Sequence, residues 1–391
     1  MALPNIKIDR IELSIVLPCL NEENAIKTCL DSICTILQKN HFLSEIIVVD
    51  NNSTDNSMSV LQEYQRNNPS IPLIIIEEKV RGYGSAYQKG FSTAQGKYIF
   101  MADLDGTYDF ADIPRFMEKI NEGNDLVIGN RFMKNKTLGS MPWHHRYIGN
   151  PFLSTLVRLF FGVKVRDIHC GARMFNKDVL ERITLSTIGM EFASEMIIKA
   201  AREHLSIAEI PIKYSDRIGT SKLQSLRDGW RHMRFIFLYS PLVLFLVPGL
   251  LLFVIGLVFT IILYFTNPSF LNITFYVHPL FLSSGCIIVG YQLIFFLLFA
   301  KTYAISHLKE RSEVFEKLFK YITLERACIV GILFLICGSL IYGTILYTWI
   351  HSNFNSLNEI KNSIVALTLL VIGAQTIASS FMLSIISIKE K

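Results

Sequence analysis

The sequence predicts an α/β domain built on a mostly parallel sheet with helices on both faces, followed by an α-helical transmembrane domain. Three observations predict it. Short apolar runs alternate with segments of helical period over about the first 235 residues. One of those runs ends in a pair of aspartates, and the remainder of the 391 residues is dominated by long apolar stretches. Hydrophobic residues make up 51% of the chain and the mean hydropathy is +0.36, high for a soluble enzyme, with the excess in the second part. The net charge of +5 is modest and no dense basic stripe is present, which speaks against a nucleic-acid partner. The seven cysteines show no CxxC or other metal spacing and read as reduced thiols. The first apolar run is short and flanked by acids, so no cleavable signal peptide is expected.

The first strand is Leu13-Ser-Ile-Val-Leu-Pro18, and Asn21-Glu22-Glu23-Asn24 opens a helix with Ile26, Leu30, Ile33 and Leu37 at helical spacing. A second strand, Glu45-Ile-Ile-Val-Val-Asp50, leads through Asn51-Asn-Ser-Thr-Asp55 into another helix. The third, Leu73-Ile-Ile-Ile-Glu77, is followed by Arg81-Gly-Tyr-Gly84 and a short helix through Gly90. Lys97-Tyr-Ile-Phe-Met-Ala-Asp-Leu-Asp-Gly106 is the fourth strand and carries Asp103 and Asp105. A helix near 112–120 precedes the strand Asp125-Leu-Val-Ile-Gly129, which ends in Asn130-Arg131. This alternation predicts parallel strands whose C-terminal loops form a ligand crevice.

Residues two apart on a strand share a face, so Asp103 and Asp105 point the same way. Two adjacent carboxylates at a sheet rim are unfavourable unless a cation neutralises them, which predicts Mg2+ or Mn2+; a solvated turn is the plainer alternative. Asp50 suits a ribose hydroxyl or base imide, or else caps the following helix. Gly82 and Gly84 let backbone approach phosphates, with Arg81 adding charge, although Gly-x-Gly also marks ordinary turns. Pro18, Asn21 and Glu22 stand similarly, and Arg131 reaches either a pyrophosphate or a surface carboxylate.

The stretch from Met141 to Phe161 interleaves aromatic and basic residues, as an element near a membrane surface or a cover over the cleft would. In Val165-Arg-Asp-Ile-His-Cys-Gly-Ala-Arg-Met-Phe175, Asp167 and His169 read as strand neighbours on one face, with Asp167 a candidate for orienting the acceptor or binding the sugar. Glu195, on the first turns of a helix opened by Gly189, is a further candidate. Residues 207–214 read as a strand, and the loop after it carries Arg217, Ser221 and Lys222, suited to clamping and releasing a phosphate.

Segment 224–240 is basic and aromatic and reads as an amphipathic juxtamembrane helix between a domain at 1–223 and a transmembrane domain at 241–391. Four runs, about 241–265, 278–300, 327–349 and 364–388, are long enough to span. Lys and Arg concentrate in 301–326, which predicts that this loop, the first domain and both termini are cytoplasmic. The spans carry almost no ionisable side chains, which favours anchoring or lipid presentation over transport.

As a set, Ser14-Ile-Val-Leu-Pro-Cys-Leu-Asn-Glu-Glu23, Val49-Asp-Asn-Asn-Ser-Thr-Asp55, Arg81-Gly-Tyr-Gly84, Ala102-Asp-Leu-Asp-Gly-Thr-Tyr-Asp109 and Arg217-Ile-Gly-Thr-Ser-Lys222 resemble family 2 glycosyltransferases. The resemblance implies a GT-A (Rossmann-like) fold and is strongest to the polyprenyl-phosphate group, the dolichol-phosphate mannosyltransferases and bactoprenol-phosphate glucosyltransferases. By it, Pro18, Asn21, Glu22 and Asp50 line a nucleotide pocket. Asp103 and Asp105 bind the metal on the diphosphate, and Arg131, Arg217 and Lys222 contact phosphates. Thr107 stands where mannosyltransferases often carry a glutamine, and Gln224-Ser-Leu-Arg-Asp228 lacks the tryptophan of the processive Gln-x-x-Arg-Trp motif, which argues against polymer synthesis. The implied activity is inverting transfer of a hexose from a nucleotide sugar, UDP-glucose favoured over GDP-mannose or a UDP-amino sugar, to a polyprenyl phosphate. The implied partners are donor, lipid phosphate and bilayer, with a homo-oligomer allowed. A lipid-linked-sugar transporter with a nucleotide-sensing domain is the rival from another class.

Overall fold

The computed structural model describes residues 11–133, 143–219, 225–270, 273–274, 276–307, 315, 317–318, 321 and 323–388. The chain divides into two compact units, Met1–Tyr239 and Ser240–Lys391.

The first unit is built on a seven-stranded sheet. Its strands are β1 (Leu13–Cys19), β2 (Ser44–Asp50), β3 (Leu73–Glu77), β4 (Tyr98–Met101), β5 (Leu126–Asn130), β6 (Arg173–Asn176) and β7 (Ile207–Pro211), in the order β3-β2-β1-β4-β6-β5-β7. Strands β1, β2, β3 and β4 pair in parallel, as do β5 and β7, whereas β6 runs antiparallel between β4 and β5. β6 departs from the expected register: Asp167 and His169 lie in the turn before it, so they are not strand neighbours. The 207–214 strand likewise ends at Pro211.

Helices α1 (Ile26–Asn40), α2 (Ser57–Asn67), α3 (Tyr83–Thr93), α4 (Ile113–Asn121), α5 (Asn150–Phe161), α6 (Val179–Arg182), α7 (Phe192–Arg202) and α8 (Ser225–Leu238) surround the sheet. In β1, Leu13, Ile15, Val16 and Leu17 are fully buried, which is why the strand reads as a continuous apolar run. α4 buries Ile113, Phe116, Met117 and Ile120, one face at helical spacing. The polar exceptions in the core are paired: the Ser14 hydroxyl donates to Glu45 at 2.6 Å, and the Gln95 and Gly96 amides donate to Glu45 and Ser14 at 2.6 and 2.8 Å. These bonds tie the turn that launches β4 to β1 and β2.

The second unit holds four helices long and apolar enough to cross a membrane, Leu242–Phe265, His278–Ser306, Leu324–His351 and Ile360–Ile386. They approach at glycines. A Cβ on Gly290 would lie 2.6 Å from the Gly249 carbonyl oxygen, and one on Gly373 would lie 2.7 Å from that of Gly331. Hydroxyl pairs join them as well: Ser284 with Thr368 at 2.6 Å and Tyr291 with Thr376 at 2.8 Å. Lys361 donates to the Leu263 carbonyl at 2.6 Å and so satisfies an acceptor at the C-terminus of the first span.

α3 lies so close to the sheet that a Cβ on Gly90 would sit 2.3 Å from Cγ1 of Val16, a stiff β-branched side chain. Gly90→Leu is therefore expected to destabilise the protein by about 1–3 kcal/mol. A denaturant titration of the purified chain checks this, and an unchanged midpoint contradicts the close packing.

Candidate active site

The C-terminal ends of β1, β2, β4 and β5 open onto one cleft of about 550 Å³, where a sheet of this topology places its crevice. Pro18 and Glu22 line it from the β1 end, and Asn51, Arg81 and Gly82 from the β2–α3 side. Asp103 and Asp105 line it from the β4 end, Arg131 from β5, and Arg217 from the loop after β7.

The acids do not stand alone. Asp105 is buried; its Oδ1 accepts from the Thr107 amide at 3.0 Å and hydroxyl at 2.6 Å, and its Oδ2 meets an Arg217 nitrogen at 2.9 Å. The same guanidinium is paired with Glu22. Arg217 is brought there by its own loop: the Ser215 amide donates to the Thr107 carbonyl and the Ile218 amide to the Asp105 carbonyl, both at 2.9 Å. Gly106, at φ +80, makes the turn that permits this.

Asp103 sits among phenols. Tyr87 donates to it at 3.3 Å, and a Cβ on Gly171 would lie 3.0 Å from each of Asp103 Oδ2, the Tyr83 hydroxyl and the Tyr108 hydroxyl. Burial, and then the neighbouring Asp105 charge, push the Asp103 carboxyl up to about 7. Burial also raises Tyr83, Tyr87 and Tyr108 well above the ordinary phenol range, so they stay protonated. Behind them Arg173, fully buried, donates to the Cys170 and Ile168 carbonyls at 2.9 and 2.8 Å and holds the 168–171 turn against the cleft.

Asp103 and Asp105 together could hold a hard cation. Among the described residues no three His, Cys, Asp or Glu side chains converge as a metal cage. The all-oxygen donor pair thus fits Mg2+ or Mn2+ with its shell completed by water and substrate phosphates. A cation is already needed there, and Arg217 supplies it in this state.

Other predicted residues take different places. Asp167 is fully buried and commits both oxygens to Arg131, at 2.8 Å to Nε, 2.8 Å to Nη2 and 3.1 Å to the amide. It therefore positions Arg131, which faces the cleft and lies over the Tyr214 ring, and does not itself reach a sugar. Glu195 is a correction too: it is fully buried outside the cleft, where it accepts from the amides and hydroxyls of Ser186 and Thr187 and from Lys199. Those five bonds fix the 186–187 backbone and leave no oxygen for a phosphate. Gly82 lines the cleft, but its amide donates to Asn51 at 2.7 Å. The Cβ spaces of Gly82 and Gly84 are filled by the Ile188 and Thr187 carbonyls, so these glycines admit protein backbone rather than phosphate. Asn21 bridges to Thr54 and Ser53 across neighbouring loops. Asp50 accepts from the Ser53 amide at 3.1 Å, while its buried Oδ1 has no partner among the described residues. Arg81 donates to the Asn52 carbonyl at 3.0 Å. Ser221 and Lys222 lie outside the described residues.

Sequence reasoning missed Asn51, which joins the β3–α3 loop to the cleft through the Val80 carbonyl and the Gly82 amide, each at 2.7 Å. It also missed the phenols around Asp103 and the group formed by His169, Ser194 and His232, where Ser194 meets His232 Nδ1 at 2.8 Å. The only local signal was the polar residue at each loop or helix start.

Residues 14–184 match the family described as Glycosyl transferase family 2. The low-salt glycan biosynthesis hexosyltransferase Agl6 of Haloferax volcanii is 36% identical over 373 residues, 95% of this chain and 88% of that protein. The chain belongs to glycosyltransferase family 2. This glycosyltransferase also matches, over 298–387, the family described as the Glycosyltransferase family 2 C-terminal transmembrane region, and with its four apolar helices it is a membrane protein. Dolichol-phosphate mannosyltransferase of Pyrococcus furiosus is 28% identical over 61% of the glycosyltransferase and 69% of that relative. Dolichyl-phosphate beta-glucosyltransferase of Saccharomyces cerevisiae is 31% identical over 56% and 72%.

Asp167→Ala is expected to cost about 3–5 kcal/mol, because it leaves the Arg131 guanidinium buried without its counter-charge. Urea unfolding of the purified glycosyltransferase measures it, and a midpoint equal to wild type argues that Asp167 plays no such part.

Proposed function

We propose that this glycosyltransferase moves a hexose from a nucleotide-diphosphate sugar, with UDP-glucose as the favoured donor, to a polyprenyl phosphate in the membrane. The observation that carries the reading is the Glu22, Asp103, Asp105 and Arg217 cluster at the strand ends, in a chain that also carries four spans. Relatives named for dolichol-phosphate mannosyl transfer and dolichyl-phosphate glucosyl transfer support the lipid acceptor. The two differ in the sugar they are named for, so a donor panel is part of the test.

In this reading the nucleotide lies along Pro18, Asn51 and Arg81, and the unpartnered Oδ1 of Asp50 accepts from the nucleoside. Asp103 and Asp105 would hold Mg2+ or Mn2+, and the bound ion would supply counter-charge to the diphosphate. Arg217 and Arg131 face the same phosphates from the cleft walls. The acceptor phosphate is already an anion, so its oxygen attacks the anomeric carbon without a general base. The new carbon–oxygen bond forms as the bond to the diphosphate breaks, with inversion and with the electron pair leaving on the nucleotide. Catalysis rests on positioning and charge. The Lys and Arg of 301–326 support a cytoplasmic side for the catalytic unit and both termini.

With purified protein, Mg2+ or Mn2+, a short polyprenyl phosphate and a panel of UDP- and GDP-sugars, transfer is expected from UDP-glucose, abolished by EDTA and reduced at least about a hundredfold in Asp105→Asn. Transfer from GDP-mannose alone would replace the donor. Nucleotide-sugar binding without transfer to any lipid phosphate would sink the acceptor. The raised Asp103 carboxyl gives a second expectation. Its contribution to stability is full below the ordinary carboxylate range and is lost as pH rises towards about 7. Metal-free Asp103→Asn should therefore lack that decline, and Mn2+ affinity of the wild type should climb with pH until about 7, because the ion competes with the proton. Flat Mn2+ affinity over that range would count against Asp103 as a ligand.

A further inference from the structure

α8 carries three stripes of different character. His232, Phe235 and Ile236 are buried, and Ser194 of α7 meets the His232 ring at 2.8 Å. Trp230, Arg234 and Leu238 recur every fourth residue on an exposed stripe. Between them Arg227 and Arg231, also one turn apart, line the active-site cleft. Thus the hydrogen bond from Ser194 and the packing of Phe235 and Ile236 set the rotation of the helix, and that rotation directs two guanidinium groups into the cleft.

The wall they occupy differs from the metal end. The carboxylates lining the cleft, Glu22, Asp103 and Asp105, belong to the β1 and β4 ends, whereas the α7–α8 side contributes His169, Met190, Ala193, Arg227, Arg231 and His232. Burial and the nearby Arg173 charge hold His232 down to about 4, so it is a neutral hydrogen-bonding group at ordinary pH and the arginines carry that wall's charge. Two guanidinium groups presented from one helix suit the oxygens of a phosphate monoester. α8 is also the last element before the first span: it ends at Leu238, and the span begins at Leu242. The element that presents these two guanidinium groups is thus the one that directly precedes the spans in the chain.

We propose that Arg227 and Arg231 form the subsite for the acceptor's phosphate, separate from the diphosphate end of the cleft. The inference rests on the lipid-phosphate reading above and assigns the acceptor to α8. It differs from the sequence-based expectation, which put phosphate contacts on the loop carrying Arg217, Ser221 and Lys222 and made Asp167 a candidate for orienting the acceptor.

The test uses the full-length protein in detergent with Mn2+ and compares wild type, Arg227→Gln, Arg231→Gln, the double variant and Arg231→Lys. Farnesyl phosphate binding, the KM for farnesyl phosphate and UDP binding are measured, with inorganic phosphate and farnesol as comparison probes and a thermal melt to confirm folding. Each single Gln variant is expected to weaken farnesyl phosphate binding and raise its KM about tenfold, the double variant further, with UDP affinity within about twofold of wild type. Arg231→Lys should recover part of the loss. Unchanged farnesyl phosphate binding in the double variant overturns the subsite while leaving the lipid-phosphate function intact. An equal loss of UDP affinity overturns it too, by moving the arginines to the donor. Inorganic phosphate binding as tightly as farnesyl phosphate overturns the lipid as the source. Wild-type protein that neither binds nor glycosylates farnesyl phosphate overturns the function itself, and the subsite with it.

Discussion

A parallel sheet buried on both faces leaves polar chemistry nowhere to go but the strand ends, and this constraint organises the catalytic unit. β1, β2, β4 and β5 are mostly apolar, with Ser14 and Glu45 paired to each other, and deliver Pro18, Asp50, Asp103 and Arg131 at or just beyond their last residues. Bringing acids together there is unfavourable by itself. The structure answers with one guanidinium, Arg217, shared between Glu22 and Asp105. That sharing ties the start of the fold to its far end, since Glu22 follows β1 and Arg217 follows β7. The loop bonds from Ser215 and Ile218 to the turn at Asp105 belong to the same arrangement.

Around this bridge, buried charges are matched by partners rather than left to solvent. Arg131 and Asp167 form a closed pair, and Glu195 is saturated by five donors. Arg173 instead uses carbonyl oxygens of the turn it supports. Each such group holds a segment of the cleft wall: the β5 end, the 186–187 backbone and the 168–171 turn. A wall built this way is stiff where the phenols meet Asp103, a place where small displacements would change the charge balance.

Much of the fold was legible in the sequence because strands buried on both faces announce themselves as unbroken apolar runs, as in Ile15-Val-Leu17 and Ile46-Ile-Val-Val49. β6 was not. It has four residues, begins with an arginine, and nothing local in a sequence states that a strand will run antiparallel between two others. In the cleft, Glu22, Asp103, Asp105 and Arg217 could be picked out because each sits at a strand end or in a polar loop that apolar runs bracket. Asp167 was read on a strand and Glu195 on the first turns of a helix, yet their partners, Arg131 and the Ser186–Thr187 backbone, are set by tertiary contact. Arg227 and Arg231 were hidden in a different way: a basic, aromatic helix before a span reads as one interfacial surface, and only packing of His232 separates its faces.

The reversed direction of β6 has a bearing on how this scaffold diversifies. In a parallel strand the loop that meets the ligand comes after the strand, but here the N-terminal end of β6, at Arg173, lies beside Met101 of β4 at the crevice side of the sheet. The chain therefore writes this part of the cleft before it lays down the strand, in residues 165–172, and it does so with buried residues tied to the end of β5: Asp167 accepts from the Arg131 amide and the Ala172 carbonyl from the Gly129 amide. For anyone redesigning such a scaffold, exchanges upstream of β6 act on the cleft and on the β5 end together, since Asp167 meets Arg131 and Gly171 meets Asp103.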